Sequence, residues 1–194
     1  MTTDSARRAV LIVEDPEVIR LLSSFIKSEI LRLLSKKPMT ETQLSKVLEL
    51  TKAAVGYHLR PLRDKGLIKV DRYVTEEHGI SKYYSTVASF FVVDPDFVPD
   101  DVKRYFLETQ MMRLEGMLSV FRLHGGIEEV STENLEELAE AMLRQLKVVG
   151  EKHTTEKDQV NGTESLRIRI FAEALDSLVK KDKYRSLFQN TEPK

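Results

Sequence analysis

Residues 40–70, TETQLSKVLELTKAAVGYHLRPLRDKGLIKV, contain two short amphipathic segments, each with a helix-start signal in front of it. Thr40 stands three residues before Gln43, which is the spacing of a capping box, and Thr51 stands in front of the second segment. Gly66 is placed to end the second segment in the left-handed conformation. Because very few residues separate the segments, the pattern predicts two helices joined by a tight turn.

The flanking residues complete a small domain around this pair. Residues 67–74 and 80–87 are rich in β-branched residues and are separated by polar residues, which predicts a β-hairpin. Upstream, residues 10–13 predict a short strand, and an Asp-Pro step followed by apolar residues at helical spacing predicts one helix over residues 16–37. Helix, helix, tight turn, helix and hairpin is the order of a winged helix-turn-helix.

The second half of the sequence, from Pro99, changes to longer amphipathic stretches. The first predicts a helix to about Leu123. Its heptad seam consists of Leu107, Met111, Leu114, Leu118 and Phe121. Two interpretations are open, packing within the chain or pairing with a second copy, and we favour a combination of both. Further helices are predicted over 131–150, ending at a glycine, and over 166–181, with a mobile loop at 151–163 between them.

The predicted fold class is therefore mainly α with a small β-hairpin wing. A winged helix-turn-helix DNA-binding domain occupies residues 1–92, and a helical dimerisation or effector region occupies 93–194. The hydrophobic share of 41% and the charged share of 31% are typical of a helix-rich globular protein. The net charge of the chain is −1, but positive charge is locally in excess, because residues 50–72 hold six basic and two acidic side chains.

The helix predicted after Thr51 has the features of a helix that reads DNA. Ala53, Ala54 and Gly56 give it a slim front that can approach base edges in a major groove about 12 Å wide. Basic and aromatic side chains near its start can reach bases, later arginines can reach phosphates, and strand residues of the hairpin can reach a neighbouring phosphate or the minor groove. The predicted DNA-binding residues are Thr51, Lys52, Ala54, Tyr57, His58, Arg60, Arg63, Arg72 and Lys82.

Four segments carry a family resemblance: EDPEVIRLL, EILRLLSKKPMTETQLSKVLEL, TKAAVGYHLRPLRDKGLIKV and KYYSTVASFFV. With them, residues 14–87 resemble the winged-helix domain of archaeal ArsR-type transcriptional regulators, and a weaker likeness extends into the helical second half. The resemblance implies a cytoplasmic homodimer that binds a near-palindromic operator in double-stranded DNA with the third helix of each subunit.

The sequence departs from that family in three places. Lys27 stands where family members usually have an Arg pair. Pro61 lies inside the reading helix and predicts a bend, because proline removes a backbone hydrogen bond. The predicted wing tip, residues 76–79, is acidic, so we do not expect the tip to contact DNA.

Several other classes of site lack support in the sequence. There is no Cys, which excludes disulfides and thiolate ligands. The four histidines, His58, His78, His124 and His153, are far apart and do not form a spacing typical of metal ligands. Because no catalytic motif and no membrane-spanning apolar run is present, we expect neither an enzyme nor a membrane protein, and no cofactor.

Two rival functions remain open. A winged helix can serve as a protein-interaction adaptor, which the acidic wing tip and the near-zero net charge favour. The chain can also be a ligand-sensing regulator with an apolar effector site between its C-terminal helices. No sequence pattern identifies an effector, the operator sequence, or whether the protein activates or represses transcription.

Overall fold

The computed structural model describes residues 7–76, 79–123, 130–156 and 163–184, and it has the predicted fold class: helices with a small antiparallel hairpin. The elements in chain order are β1 (Arg8–Val13), α1 (Pro16–Leu22), α2 (Phe25–Lys36), α3 (Glu41–Leu48), α4 (Lys52–Asp64), β2 (Ile68–Glu76), β3 (Gly79–Thr86), β4 (Ala88–Val93), a short 3-10 helix (Pro95–Phe97), α5 (Asp100–Leu123), α6 (Thr132–Lys152) and α7 (Thr163–Val179).

The helix-turn-helix forms through the caps that the sequence predicts. The Thr40 hydroxyl accepts a hydrogen bond from the Gln43 backbone N–H at 3.1 Å, and the Gln43 side chain accepts one from the Thr40 N–H at 3.0 Å. At the start of α4, the Thr51 hydroxyl accepts from the Ala54 N–H at 3.1 Å. Gly66 follows α4 with a φ of +70°, as predicted. Both helix starts are therefore satisfied by residues next to them in sequence.

The single helix predicted over residues 16–37 is wrong, because the structure divides it into α1 and α2 at two serines. Ser23 is the C-cap of α1 and Ser24 the N-cap of α2. The Ser28 hydroxyl donates to the Leu22 carbonyl at 2.6 Å, which satisfies a carbonyl that a continuous helix would have paired with a backbone N–H. Serine side chains compete in this way with helix hydrogen bonds, so the pair of serines allows the chain to turn.

The wing is a hairpin of β2 and β3 with a register shift between Val70 and Arg72. An additional bridge joins Met39, just before α3, to Tyr84, with backbone N–O distances of 3.0 and 2.9 Å. This bridge was not predicted from the sequence. It attaches the base of the wing to the start of the helix-turn-helix.

A second small sheet, which the sequence analysis missed, pairs β1 with β4 in parallel. The whole winged helix-turn-helix forms the connection between these two strands. Alternate residues of a strand face opposite sides of a sheet. One side packs on the C-terminal helices and the other on the helix-turn-helix core. The first side carries Val10, Ile12, Phe90 and Val92, and the second carries Leu11, Val13, Phe91 and Val93.

The described residues therefore form two hydrophobic cores with this sheet between them. One core joins α1 to α4 with the base of the wing, and the other joins α5, α6 and α7. The predicted boundary between residues 92 and 93 falls inside β4, a strand that contributes side chains to both cores. The division into two regions at that position stays a prediction.

The predicted heptad seam of α5 packs inside the chain. Leu107, Leu114 and Leu118 are buried in the core with α6 and α7, and Met111 packs against the same core. Phe121 belongs to α5, but its side chain is outside the described part. Of the two interpretations of the seam, the structure shows the intramolecular one, and the buried leucines are not accessible to a second copy in this conformation.

The end of α6 also differs from the prediction. Gly150 does not terminate the helix, which continues to Lys152, and it lies where α6 packs against the β1–β4 sheet. The loop predicted at 151–163 begins with the last helical residues and a turn at 153–156. Its described part includes buried His153, and the Glu156 carbonyl accepts from the Ala9 N–H at 3.0 Å. Residues 157–162 of that loop lie outside the described residues.

Candidate nucleic-acid interface

One face of α4 is buried and the other is exposed. Val55, Leu59 and Leu62 are buried in the helix-turn-helix core. The opposite face carries exposed residues at helical spacing. These exposed residues are Lys52, Ala53, Tyr57, Arg60 and Arg63, with half-buried Gly56 among them. Tyr57 is 73% exposed. The face that the sequence analysis predicted to be slim and cationic is therefore accessible.

A shallow hollow lies beside this face, between α3, α4 and the base of the wing. It is lined by Ala53, Gly56, Arg60 and Arg63 of α4 together with Glu41 and Tyr84. The Tyr84 hydroxyl donates to a Glu41 carboxylate oxygen at 3.3 Å. Burial raises the pKa of Tyr84, and the Glu41 charge raises it further, so the hydroxyl remains a donor at neutral pH. Glu41 and Tyr84 were not predicted from the sequence, because no local pattern indicates that these two residues meet.

The cations near α4 differ in what they are paired with. Arg60 has no carboxylate within ion-pair distance among the described residues, whereas Arg63 contacts Asp64 at 3.2 Å. Lys65 contacts Glu17 and, at 3.3 Å, Asp15 at the start of α1. The Glu17 hydrogen bond is the main reason why the pKa of Lys65 is raised. Lys65 thus holds α4 to α1, and the local excess of positive charge is smaller than the sequence count indicates.

His58 does not lie on the exposed face with Lys52 and Tyr57. It is half-buried, its Nδ1 atom is buried without a hydrogen-bond partner in the described structure, and its ring meets the Tyr57 ring edge-on at 5.3 Å. Burial and the charge of Lys27 lower the pKa of His58. The side chain of His58 is therefore less accessible than those of Lys52 and Tyr57, and its contact with DNA stays a prediction. The reason is the helical rotation, which turns residue 58 toward α2. Ala54, also predicted at the interface, is half-buried.

The two predicted wing contacts lie on opposite faces of the hairpin. Arg72 is paired in register with Tyr83, whereas Lys82 is paired with Tyr73. The Arg72 guanidinium lies 4.3 Å from the centroid of the Tyr83 ring and contacts Asp71 at 2.8 Å. Since consecutive residues of a strand face opposite sides, Arg72 and Lys82 cannot both contact the same phosphate. Residues 77 and 78 of the predicted acidic tip are outside the described residues, as is the side chain of Glu76.

This geometry is accompanied by a similarity in sequence. Residues 26–70 match the model of the family described as "Bacterial regulatory protein, arsR family". This segment of the winged helix-turn-helix is therefore similar to the arsR family. The match runs from α2 into β2 and covers well under half of the 194 residues, so it concerns this domain only. No curated protein matches the chain.

Among solved structures, the chain is similar to a mutant of ZitR from Lactococcus lactis and to AdcR, the adhesin competence repressor of Streptococcus pyogenes. The ZitR structure has 18% identity and a TM-score of 0.32, with 66% of this chain and 74% of that chain covered. The AdcR structure has 19% identity and a TM-score of 0.30, with 66% of this chain and 79% of that chain covered.

No group of three or more His, Cys, Asp or Glu side chains among the described residues is arranged to hold a metal ion. Within the same residues, no helix combines the length and the apolar character needed to cross a membrane.

Proposed function

We propose that this protein is a sequence-specific DNA-binding transcriptional regulator without enzymatic activity, acting in the cytoplasm as a homodimer on a near-palindromic operator. In this proposal α4 of each subunit enters the major groove. The observation that carries it is the exposed face of α4, where basic and aromatic side chains surround a front of small residues. The archaeal character of the family resemblance stays a prediction.

The residues of α4 divide into two roles in this proposal. Lys52 and Tyr57 lie near the start of the helix and are assigned to base edges, since the start of a recognition helix enters the groove most deeply. Arg60 and Arg63 lie one to two turns later and are assigned to phosphates, which position the protein without reading sequence. Thr51 caps the helix, and the backbone N–H groups of the first turn suit a phosphate.

The homodimer requires a surface other than the buried seam of α5. The opposite side of α5 offers one, because Tyr105, Met112, Gly116 and Leu123 lie on one line along the helix. Met112 is 74% exposed and Leu123 is 84% exposed. Two reading helices are needed to address two half-sites about 34 Å apart. We therefore assign dimerisation to this outer face of α5.

Arg60 provides the test of the DNA-binding proposal. Replacing Arg60 with Ala should weaken binding to every duplex alike and reduce the slope of log K against log salt by about one unit, since one phosphate contact is lost. The measurement is fluorescence anisotropy of a labelled duplex over a salt series. The matched control is Arg144→Ala, an exposed arginine on α6 that pairs with Glu140. If the slope is unchanged in the Arg60 variant, Arg60 does not contact a phosphate.

A protein-interaction adaptor is the second candidate, and one observation favours it. Tyr73 and Ile80 on the wing are 63% and 68% exposed and offer apolar surface to a protein partner. The same titration separates the candidates. An adaptor is expected to bind bulk duplex negligibly at low salt, whereas the regulator is expected to bind it through phosphate contacts.

A further inference from the structure

A cavity of about 310 Å³ lies where the two cores meet. Its wall comes from the helix-turn-helix side and from the C-terminal helices at once. The wall residues used below are Glu29 and Arg32 of α2, Phe90 of β4, Gln110 and Arg113 of α5, and Arg167 and Phe171 of α7. This volume is at the lower end of the range for small-molecule sites.

The wall of the cavity combines aromatic rings with guanidinium groups. The rings of Phe90 and Phe171 lie 6.2 Å apart, centroid to centroid. The guanidinium of Arg113 lies 5.6 Å from the Phe171 ring centroid, and that of Arg167 lies 5.7 Å from the Phe90 ring centroid. The apolar part of a ligand can pack against the two rings, and the two arginines place positive charge on either side of it.

This positive charge is poorly neutralised within the described structure. Arg32 is paired with Glu29 in a bidentate contact that includes an Nε–Oε2 distance of 2.7 Å. Arg113 has no carboxylate within ion-pair distance among the described residues. Arg167 approaches Glu164 only at 4.0 Å, and Glu164 also contacts a lysine of α2 at 2.7 Å. Arg113 keeps part of its surface in solvent. Desolvation by the cavity wall, and secondarily the charge of Arg167, lowers the pKa of Arg113, so the two guanidiniums lie close enough to repel each other.

Gln110 supplies an independent indication of a ligand. The residue is 1% exposed, and its Nε2 atom is buried without a hydrogen-bond partner in the described structure. A buried donor without a partner costs free energy, so such groups in native proteins call for an explanation. A hydrogen-bond acceptor bound in the cavity would satisfy this amide.

We propose that the cavity binds a small carboxylate with an apolar body. The carboxylate is held by Arg113, Arg167 and the Nε2 donor of Gln110, and the apolar body lies against Phe90 and Phe171. A planar guanidinium matches a carboxylate with two parallel hydrogen bonds, and a bound anion removes the repulsion between the two arginines. An uncharged analogue of the same shape gains the apolar contacts alone.

The position of the site allows a bound ligand to affect DNA binding. This regulatory role rests on the proposed function. Because α2 packs on α4 and also lines the cavity, a ligand that joins α2 to α5 and α7 affects how α4 is presented to DNA. The coupling is reciprocal, so DNA must change the affinity for the ligand by the same factor.

The experiment measures ligand binding directly, without DNA. Naphthalene-1-carboxylate and its uncharged analogue naphthalene-1-carboxamide are titrated into the full chain by isothermal calorimetry. We expect the carboxylate to bind about tenfold tighter than the amide, since charge-assisted hydrogen bonds are lost with the charge. Equal affinities, or no binding of the carboxylate, would overturn the proposal.

Variants locate the binding to this cavity. Arg113→Gln and Arg167→Gln should each lower the affinity for the carboxylate about tenfold and leave that for the amide unchanged. Gln110→Leu should lower the carboxylate affinity while keeping or raising the melting temperature, because the native amide has no partner to lose. Arg144→Gln on α6 is the control and should bind like the native chain. If both arginine variants bind the carboxylate as tightly as the native chain does, the carboxylate binds elsewhere and the proposed site is wrong.

A separate titration tests the regulatory part. Naphthalene-1-carboxylate is added to the complex with a labelled duplex, and a change in DNA affinity that Arg113→Gln abolishes supports the coupling. Calorimetric binding without any effect on a formed DNA complex would overturn the coupling but not the site. If the protein binds no duplex at all, the proposed function fails while the calorimetric result still decides the ligand site.

Discussion

At the scale of single residues, Glu49 shows how a turn can impose strain. It is the C-cap of α3, and among the described residues it is the one non-glycine residue with a positive φ, at 56°. A β-carbon in the left-handed region costs about 1 kcal/mol. The tight turn before Thr51 requires that conformation whatever residue occupies the position.

We therefore expect Glu49→Gly to stabilise the protein by about 0.5–1 kcal/mol, because glycine removes the strain and loses part of the gain to its greater freedom when unfolded. Lys37→Gly is the control, since Lys37 also follows a helix but has an extended φ of −160°. There the same change should destabilise by about 0.5–1 kcal/mol. Urea unfolding of the three proteins measures both effects. A loss of stability in the Glu49 variant would contradict the strain argument.

His58 gives a prediction for pH. Its folded pKa lies below the unfolded value of about 6.5. As the pH falls below about 6.5, the unfolded chain binds a proton before the folded chain does, so stability is full above that pH and is lost through the folded pKa. We expect His58→Gln to reduce the fall of melting temperature between about pH 7.5 and 5. Identical pH profiles for the native chain and the variant would show that His58 is not responsible.

At the scale of elements, α6 carries the packing between the C-terminal helices and the central sheet. A β-carbon built on Gly150 would lie 3.2 Å from Ile12 Cδ1 and 3.3 Å from Val92 Cγ2, one atom from each strand of the sheet. The helix approaches the sheet this closely because residue 150 has no side chain. Gly116 of α5 has nothing within 4 Å of the same position.

Valine at these two glycines should therefore act in opposite directions. Gly150→Val should destabilise the protein by about 1–3 kcal/mol through overpacking against β1 and β4. Gly116 lies on the proposed dimer face, so its variant is compared at a concentration at which the chain is monomeric. There Gly116→Val should be neutral or stabilising by a few tenths of a kcal/mol, since valine is a better helix former than glycine. Thermal unfolding of both variants provides the comparison. Similar melting temperatures in the two would contradict the close packing of α6 on the sheet.

At the scale of the whole molecule, the assembly proposed for DNA binding depends on the outer face of α5. Lysine at position 112 would place a charge in the middle of that face. We expect Met112→Lys to shift a dimer toward monomer, with a loss of association of at least about tenfold. Ile168→Lys is the control, because Ile168 is 69% exposed on α7 and lies outside that face. Analytical ultracentrifugation over a concentration series measures both. If the Met112 variant dimerises as strongly as the native chain, the dimer interface does not lie on this face of α5.

The sequence by itself determined the helix-turn-helix, the hairpin and the exposed face of α4. The reason is that caps, turn residues and hydrophobic periodicity act over a few residues, so Thr40, Thr51 and Gly66 specify their elements locally. The long helices of the second half followed from the same periodicity. The break at Ser23 and Ser24 is also local, but the strong apolar periodicity on both sides outweighed it in the prediction.

Only the tertiary structure decided which distant residues meet. Strand β4 forms because β1, far away in sequence, lies beside it, and Lys65 is paired with Asp15 and Glu17. His58 faces α2 because of its position around the axis of α4. The basic residues next to it in sequence do not determine the direction of its side chain. The cavity framed by Arg113 and Arg167 exists because two cores meet at one sheet. No sequence pattern encodes such meetings, since they depend on how completed elements pack.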